Sequence, residues 1–402
     1  MTAVLTDCIK TSCRGKGIMQ NMKKVRIGVI GLGAMGYTHC KNVRSIEETE
    51  LTCVCDSFAA VAEEKGKEFG VRYFTDYRDL VKSGLCDAVI VVVPHWFHAE
   101  VSSFAFENNL HVICEKPLAV TVSDADRMIR AAGKGNRIFA VMHQMRTEPF
   151  FRKAREIVES GTLGRITRTL CADPWYRTQA YYESNVWRAT WKGEGGGVLI
   201  NQAPHIMDLF LMLGGIPCRV EAGTRTRLHD IEVEDEASVL LEYKGGAWGY
   251  YYTCTCEPVQ TMHMEIAGDK GKLVINSRKV TLYRYNSPVS EFTRKADNMW
   301  ATISSAEEKF EFENNFSTAQ VEMMKNFAAA ILRGERLYAS AKDGLNVVEF
   351  FNACILSGMK KKAVDIPVGR AEYDELMHEL KRKSKPKKRV RIQRVTDPRL
   401  AR

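Results

Sequence analysis

Apolar residues follow two patterns along this chain. Up to about residue 146, short apolar runs alternate with helix-period stretches. The runs are Val25–Ile30, Leu51–Cys55, Ala88–Val93, His111–Cys114 and Ile138–Met142. Between them, Ala59–Phe69, Ala99–Asn108 and Ser123–Gly133 read as helices, with a shorter helical connector at 75–81. Ala88–Val93 is apolar at every position, as a strand buried on both faces requires. Strands alternating with helices predict a doubly wound parallel sheet, a Rossmann α/β domain whose ligand crevice lies at the carboxyl ends of its strands. From Phe150 the pattern changes. One helix, Phe150–Ser160, leads into strand candidates at 166–172, 219–227, 237–243, 247–255, 262–267 and 272–276. Long strands with few helices between them predict a mainly antiparallel, open sheet in an α+β domain. Helices return at 318–333, 342–361 and 373–381. The expected division is a disordered extension (1–22), a nucleotide-binding domain (23–146), a substrate-binding and oligomerisation domain (147–380) and a basic tail (381–402).

Composition alters this picture in three places. At 402 residues, two domains are expected. No window reaches the roughly 18 to 20 apolar residues of a membrane span, and residues 1–21 lack the apolar core of a secretory leader. The twelve cysteines form no C-x-x-C pair and no zinc-spaced Cys/His group. Several, such as Cys53, Cys55, Cys86 and Cys114, lie in or beside apolar strands. Buried thiols in a reducing cytoplasm, with no metal, are therefore expected. The net charge of +9 is misleading, because residues 381–402 hold eleven Lys or Arg and one Asp, and the rest of the chain carries −1. That tail has no aromatic platform, which argues against nucleic acid and for a solvated or loosely docked segment.

The first strand breaks into Gly31-Leu-Gly33-Ala-Met-Gly36. Gly31 suits a tight turn, Gly33 close approach of a pyrophosphate, and Gly36 close packing of helix on strand, with Ala34 and Met35 in the same cofactor loop. Asp56 ends the second strand, 20 residues after Gly36, where an acid can bond the adenosine ribose. Ser57 follows it rather than Arg, so NAD is expected over NADP. Pro94, Glu115-Lys116 and Gln144 fall at further strand ends.

Five motifs occur in order: Gly31-Leu-Gly-Ala-Met-Gly36, Pro94-x-x-x-His98, Glu115-Lys-Pro117, Gly161-x-x-Gly164 and Gly195-Gly-Gly-x-Leu-x-Asn-Gln-x-x-His205-x-x-Asp208. With them the chain resembles the glucose–fructose oxidoreductase/inositol dehydrogenase (Gfo/Idh/MocA) family over roughly residues 23–380. The resemblance implies substrate bound between the two domains. It also implies Lys116 at the reacting carbon and Glu115, Trp187 and Arg188 near the cofactor. Val93, Pro94, His95 and Trp96 are expected at the nicotinamide end, with His98 either beside them or only capping a helix.

The stretch 198–213 reads as one helix, which would set Asn201 and His205 four residues apart on one face. A neutral imidazole at 205 suits acceptance of the hydroxyl proton. Many relatives carry Asp where Asn201 stands; Asn can orient a hydroxyl but cannot relay a proton. His143 and Arg146 are candidate substrate contacts, as are Trp175, Tyr176, Arg177 and Tyr182, an aromatic segment suited to sugar faces. These aromatics and Trp187-Arg-Ala-Thr-Trp191 resemble the branch that oxidises C3 of glycosides. The expectation is an NAD-dependent dehydrogenase of a sugar or glycoside, homo-oligomeric through its open sheet. The alternatives are glycoside cleavage by transient oxidation, an inositol dehydrogenase, a sugar- or NAD-sensing regulator without catalysis, and an RNA-linked role for the tail.

Overall fold

The computed structural model describes residues 24–313 and 316–385; the sequence-expected extension and most of the basic tail lie outside the described residues. The first sheet contains β1 (Val25–Ile30), β2 (Thr49–Cys55), β3 (Arg72–Phe74), β4 (Ala88–Val91), β5 (His111–Cys114) and β6 (Phe139–Val141). All five pairings are parallel, in the order β3-β2-β1-β4-β5-β6. Every residue of β4 and β5 is buried, because helices cover both faces. The order reverses between β1 and β4, which opens a crevice at their carboxyl ends.

The second sheet contains β7 (Ile166–Pro174), β8 (Arg219–Arg225), β9 (Glu236–Glu242), β10 (Trp248–Cys254), β11 (His263–Gly268), β12 (Gly271–Asn276), β13 (Lys279–Tyr285), β14 (Ser305–Glu311) and β15 (Val364–Asp365). Its order is β14-β13-β12-β11-β7-β10-β9-β8-β15, and every neighbouring pair is antiparallel except β7 with β10. Alternate residues of β9 and β10 pack inward, while Leu240, Trp248 and Tyr250 stand exposed on the outer face.

Three features depart from the sequence reading. Residues 198–213 do not form one helix: Val198–Asn201 and Pro204–Gly214 are separate segments. Pro204 has no N–H to continue the first and fits the opening turn of the second. Strands β13 and β14 had no expected counterpart. Six of the seven residues of β14 are at least partly exposed polar or charged groups or alanine, so its sequence carries no apolar alternation; cross-strand pairs such as Arg284–Glu308 and Lys279–Glu311 support this edge.

Third, the C-terminal helices bind both sheets. Helix Ala341–Lys360 starts with a Ser340/Asp343 capping box and lays Gly344 against Leu118 and Val141, where an added Cβ would lie 3.0 and 3.2 Å from side-chain carbons. Asn352, fully buried, accepts from the Val122 N–H and donates to the Val120 carbonyl, both at 2.9 Å. The final helix, Arg370–Lys383, takes in the first residues of the expected tail.

Candidate active site

The glycine loop forms from three different constraints. Gly31 has φ +97°, and a Cβ there would sit 2.4 Å from the Val92 carbonyl oxygen. A Cβ at Gly36 would sit 1.8 Å from the carbonyl oxygen of Gly31. At Gly33 an added Cβ meets nothing within 4 Å. No protein group therefore needs glycine at 33, and the open space faces the start of helix Ala34–Arg44. That helix carries no acidic residue in its first turn and no side-chain cap, so its first N–H groups and positive end are left for an anion. Asp56 accepts from the Leu32 N–H at 2.8 Å and the Phe58 N–H at 3.0 Å, which fixes a partly exposed carboxylate beside the loop. Ser57 beside it is exposed. These residues fit a pyridine dinucleotide, held by loop 31–36 and Asp56.

At the end of β5, Glu115 receives the buried His39 imidazole at 2.7 Å. Burial alone would raise this carboxyl, but His39, Lys116 and His205 together draw it down to about 2. Lys116 donates from Nζ to the Asn201 carbonyl at 2.8 Å. Burial lowers the basicity of its amine, Glu115 opposes that shift, and Arg188 reinforces it. His205 lies beside it. Burial first, then the charges of Lys116 and His143, hold this imidazole well below its ordinary pKa, and its Nδ1 has no hydrogen-bond partner. The broken helix thus still delivers the Asn201 segment and His205 to one ammonium.

His143 is buried with neither ring nitrogen bonded, and Gln144 keeps an unpartnered buried Oε1. Both follow the end of β6, and His143 Nε2 lies 4.0 Å from Asp208 Oδ1. Arg146 is not a substrate contact. Its guanidinium is committed to Asp208 (2.6 and 2.5 Å), to the Tyr338 carbonyl (2.8 Å) and to Asp343 (3.2 Å), a buried network that leaves nothing for substrate. Tyr182 is likewise corrected: it is 2 % exposed, with its hydroxyl on Thr255 at 2.7 Å and its ring against Tyr181 and His229. His98 bonds the carbonyls of Pro117 and Val93 through its two nitrogens (2.8 and 2.9 Å) and fastens the β4 and β5 ends together, so it acts behind the crevice instead of lining it.

The aromatic segment forms a stack. The Arg177 guanidinium lies over Trp175 (5.4 Å) and Tyr181 (5.1 Å), Arg188 over Tyr181 (4.3 Å) and Trp187 (4.7 Å), and Trp187 meets His95 at 5.7 Å. Tyr176 is exposed beside it. A cleft of about 360 Å³ opens alongside, lined by Met145, Asp173, Trp175, Ile206 and Arg278 among others. Burial lifts the Asp173 carboxyl to about 7.

Two contributors lie outside the named candidates: Tyr181, which the aromatic segment includes but which gave place to Tyr182, and Glu194. Tyr181, not Tyr182, joins the site, its hydroxyl meeting Arg188, Asn201 and Gln202. Glu194, 1 % exposed, bonds Asn201, Arg188 and the Ala189 N–H. A charged residue inside a glycine run was the available signal. Residues 381–385 are also docked. Trp96 donates to the Trp191 carbonyl (3.2 Å), Trp191 to that of Glu232 (3.0 Å), and Glu232 accepts from Ser384 and Lys385, while Lys381 sits 3.7 Å over the Trp96 ring. Pro94 is exposed at the lip, and Val93 is half-buried behind it. All ten described cysteines are free thiols. His229, Asp235 and Cys256 approach one another, but His229 bonds Asp235 and the Arg177 carbonyl (2.9 and 2.8 Å), which anchors the aromatic loop.

Two family models match: the oxidoreductase-family NAD-binding Rossmann fold of GFO/IDH/MocA over residues 25–143, and the GFO/IDH/MocA C-terminal domain over 151–274. Together they span more than half of the chain. Among similar proteins, myo-inositol 2-dehydrogenase of Thermotoga maritima is 26% identical over 341 residues, covering 80% of this chain and 92% of that one. Levoglucosan dehydrogenase of Pseudarthrobacter phenanthrenivorans is 23% identical over 397 residues, covering 86% and 99%. Among solved structures, a levoglucosan dehydrogenase complex with NADH and levoglucosan shares the fold with TM-score 0.74 at 22% identity, covering 86% of this chain and all of that one. The Bordetella pertussis WlbA dehydrogenase with NADH and UDP-GlcNAcA does so with TM-score 0.72 at 23% identity, covering 86% and 100%.

Proposed function

Because the chain belongs to the Gfo/Idh/MocA family of NAD-binding oxidoreductases, we propose that it is an NAD-dependent dehydrogenase of a secondary alcohol on a sugar or glycoside. The observation that carries this reading is the meeting of Lys116, from the end of β5, with the segment bearing Asn201 and His205, from the second half of the chain. The dinucleotide supplies the hydride acceptor when bound. The chain's own residues do the rest. Lys116 keeps N–H donors beyond the one on Asn201 for the substrate oxygen, and steadies the negative charge that grows there. His205 is neutral and short of a partner, so it can take the hydroxyl proton. His143 and Gln144 offer further hydrogen-bonding atoms, and Trp175, Arg177 and Trp187 a flat wall for a ring. The relatives named above act on inositol and levoglucosan, both cyclic polyols, which agrees with this substrate class.

Within that class the reading favours C3 of a glycoside, on the aromatic segment 175–191. Cleavage of a glycoside by oxidation, elimination and re-reduction would use the same groups. The exposure of Leu240, Trp248 and Tyr250 supports self-association through the outer face of the second sheet, and the ten free thiols among the described residues suit a reducing cytoplasm. The test is to offer inositols, hexoses and aryl glucosides with NAD, following NADH by absorbance and the product by NMR. A keto sugar formed with NADH supports the dehydrogenase. Release of aglycone without NADH would replace it with the cleavage reaction, and no turnover of any polyol would reject both.

A further inference from the structure

We propose that Glu194 is a positioning residue that fixes which end of the Asn201 amide faces the substrate, so that the site presents an acceptor oxygen at position 201. The inference rests on the dehydrogenase reading and deepens it. Glu194 is buried in the turn 190–195, between the stacked Arg188 and the segment 195–197. Its Oε2 accepts from the Ala189 N–H at 2.6 Å. Its Oε1 lies 2.5 Å from Asn201 Nδ2 and 3.3 Å from Arg188. An ionised carboxylate can only accept, so the NH₂ end of Asn201 must turn to it. Tyr181 takes the same amide nitrogen at 3.2 Å. Both N–H donors of Asn201 are then engaged, and Oδ1 is the end left for a hydroxyl. An acceptor oxygen is what an aspartate at 201 would offer; here the charge stands one hydrogen bond further back.

The charged groups around Glu194 are Arg188 and Lys116, with Tyr181 and the Glu234 carboxyl also close. Burial raises the Glu194 carboxyl, and Arg188, the Ala189 N–H and Lys116 pull it back, leaving it above the ordinary value. Once protonated, Glu194 could donate to Oδ1, and the amide would lose its fixed sense. Glu194→Gln makes that loss permanent. A glutamine has one oxygen to offer either the Ala189 N–H on one side or Asn201 and Arg188 on the other, so its amide no longer presents acceptors to both and the sense of the Asn201 amide is no longer fixed.

The test compares wild type, Glu194→Gln, Asn201→Asp and the exchange Glu194→Gln/Asn201→Asp by kcat–pH profile, KM for NAD, and melting temperature. Glu194→Gln is expected to lower kcat roughly 10- to 100-fold with little change in KM for NAD, and to lose the acidic limb of the profile. The exchange is expected to recover most of kcat, because the carboxylate introduced at position 201 accepts from the amide introduced at position 194. A second readout needs no turnover. In Asn201→Asp two carboxyls face each other at hydrogen-bond distance and must share a proton, giving at neutral pH a carboxylic-acid carbonyl infrared band in addition to those of wild type, which the exchange variant lacks. Wild-type kcat and pH profile in Glu194→Gln would overturn the proposal, as would an exchange variant no better than the single one. If Glu194→Gln does not fold, the infrared comparison decides, and absence of that band overturns it. If wild type oxidises no polyol, the functional reading fails, while the band still reports the pairing of positions 194 and 201.

Discussion

Lys116 Nζ donates to the main-chain carbonyl of Asn201 at 2.8 Å, so the lysine at the end of one sheet is bound to the segment that carries the histidine of the other half. The contact uses the backbone, so it takes neither end of the Asn201 side-chain amide, whose nitrogen bonds Glu194 and Tyr181. Replacing Lys116 with Met should remove charge stabilisation at the reacting oxygen but leave the glycine loop intact. The expected outcome is a fall of roughly 100- to 1,000-fold in kcat with NADH binding near that of wild type. Stopped-flow turnover and nicotinamide fluorescence read the two separately.

Gly33 and Gly36 predict opposite results from the same substitution. Gly33 has φ −63° and open space around it, so Gly33→Ala should melt like wild type, to within about 0.5 kcal/mol, while its KM for NAD rises because the methyl projects toward the pyrophosphate. Gly36→Ala would put a carbon 1.8 Å from the Gly31 oxygen. It should lose folded yield first, measured as soluble protein and melting temperature.

Adjacent tyrosines separate stability from chemistry. Tyr182→Phe removes a buried hydroxyl from Thr255 and should cost about 1 kcal/mol of stability with substrate KM unchanged. Tyr181→Phe removes the oxygen shared by Arg188, Asn201 and Gln202. It should lower kcat or raise substrate KM with a smaller change in melting. Denaturation and steady-state kinetics on both variants check the contrast.

Glu234 gives a pH signature in stability. Burial raises its carboxyl to about 7, despite the Gly197 and Leu199 N–H groups on Oε1, and Oε2 has no partner. The folded state therefore holds this proton more tightly than the unfolded chain. The resulting stabilisation is complete below the unfolded carboxyl value and is lost as pH rises through about 7, on the order of 3 kcal/mol at most. Glu234→Gln mimics the protonated form. It should melt above wild type at about pH 9 and close to it at about pH 5.

The nucleotide-binding sheet was legible because each of its signals is local. Continuous apolar runs mark buried parallel strands, and the glycine spacing belongs to one turn. Asp56, Glu115, Lys116 and His205 could be named from their positions at strand ends or in motifs. The break at Pro204 was legible too, but helical periodicity across 198–213 outweighed it. Arg146 and Tyr182 were misjudged because burial is a tertiary property: nothing in the sequence says that Asp208 and Thr255 will claim them. Strand β14 and the docking of Ser384 on Glu232 depend on partners 20 to more than 150 residues away, which no periodicity encodes. Glu194 was passed over as part of a glycine run, although a carboxylate confined there has few places to go but inward.

The most direct test of the central claim is isotope transfer. Wild-type protein would be incubated with NAD and a glycoside deuterated at C3, and the reduced cofactor examined by NMR and mass spectrometry. Deuterium at nicotinamide C4, appearing roughly 100- to 1,000-fold more slowly with Lys116→Met, is the predicted result. Reduced cofactor carrying no deuterium from C3, or transfer undiminished without Lys116, would contradict the account.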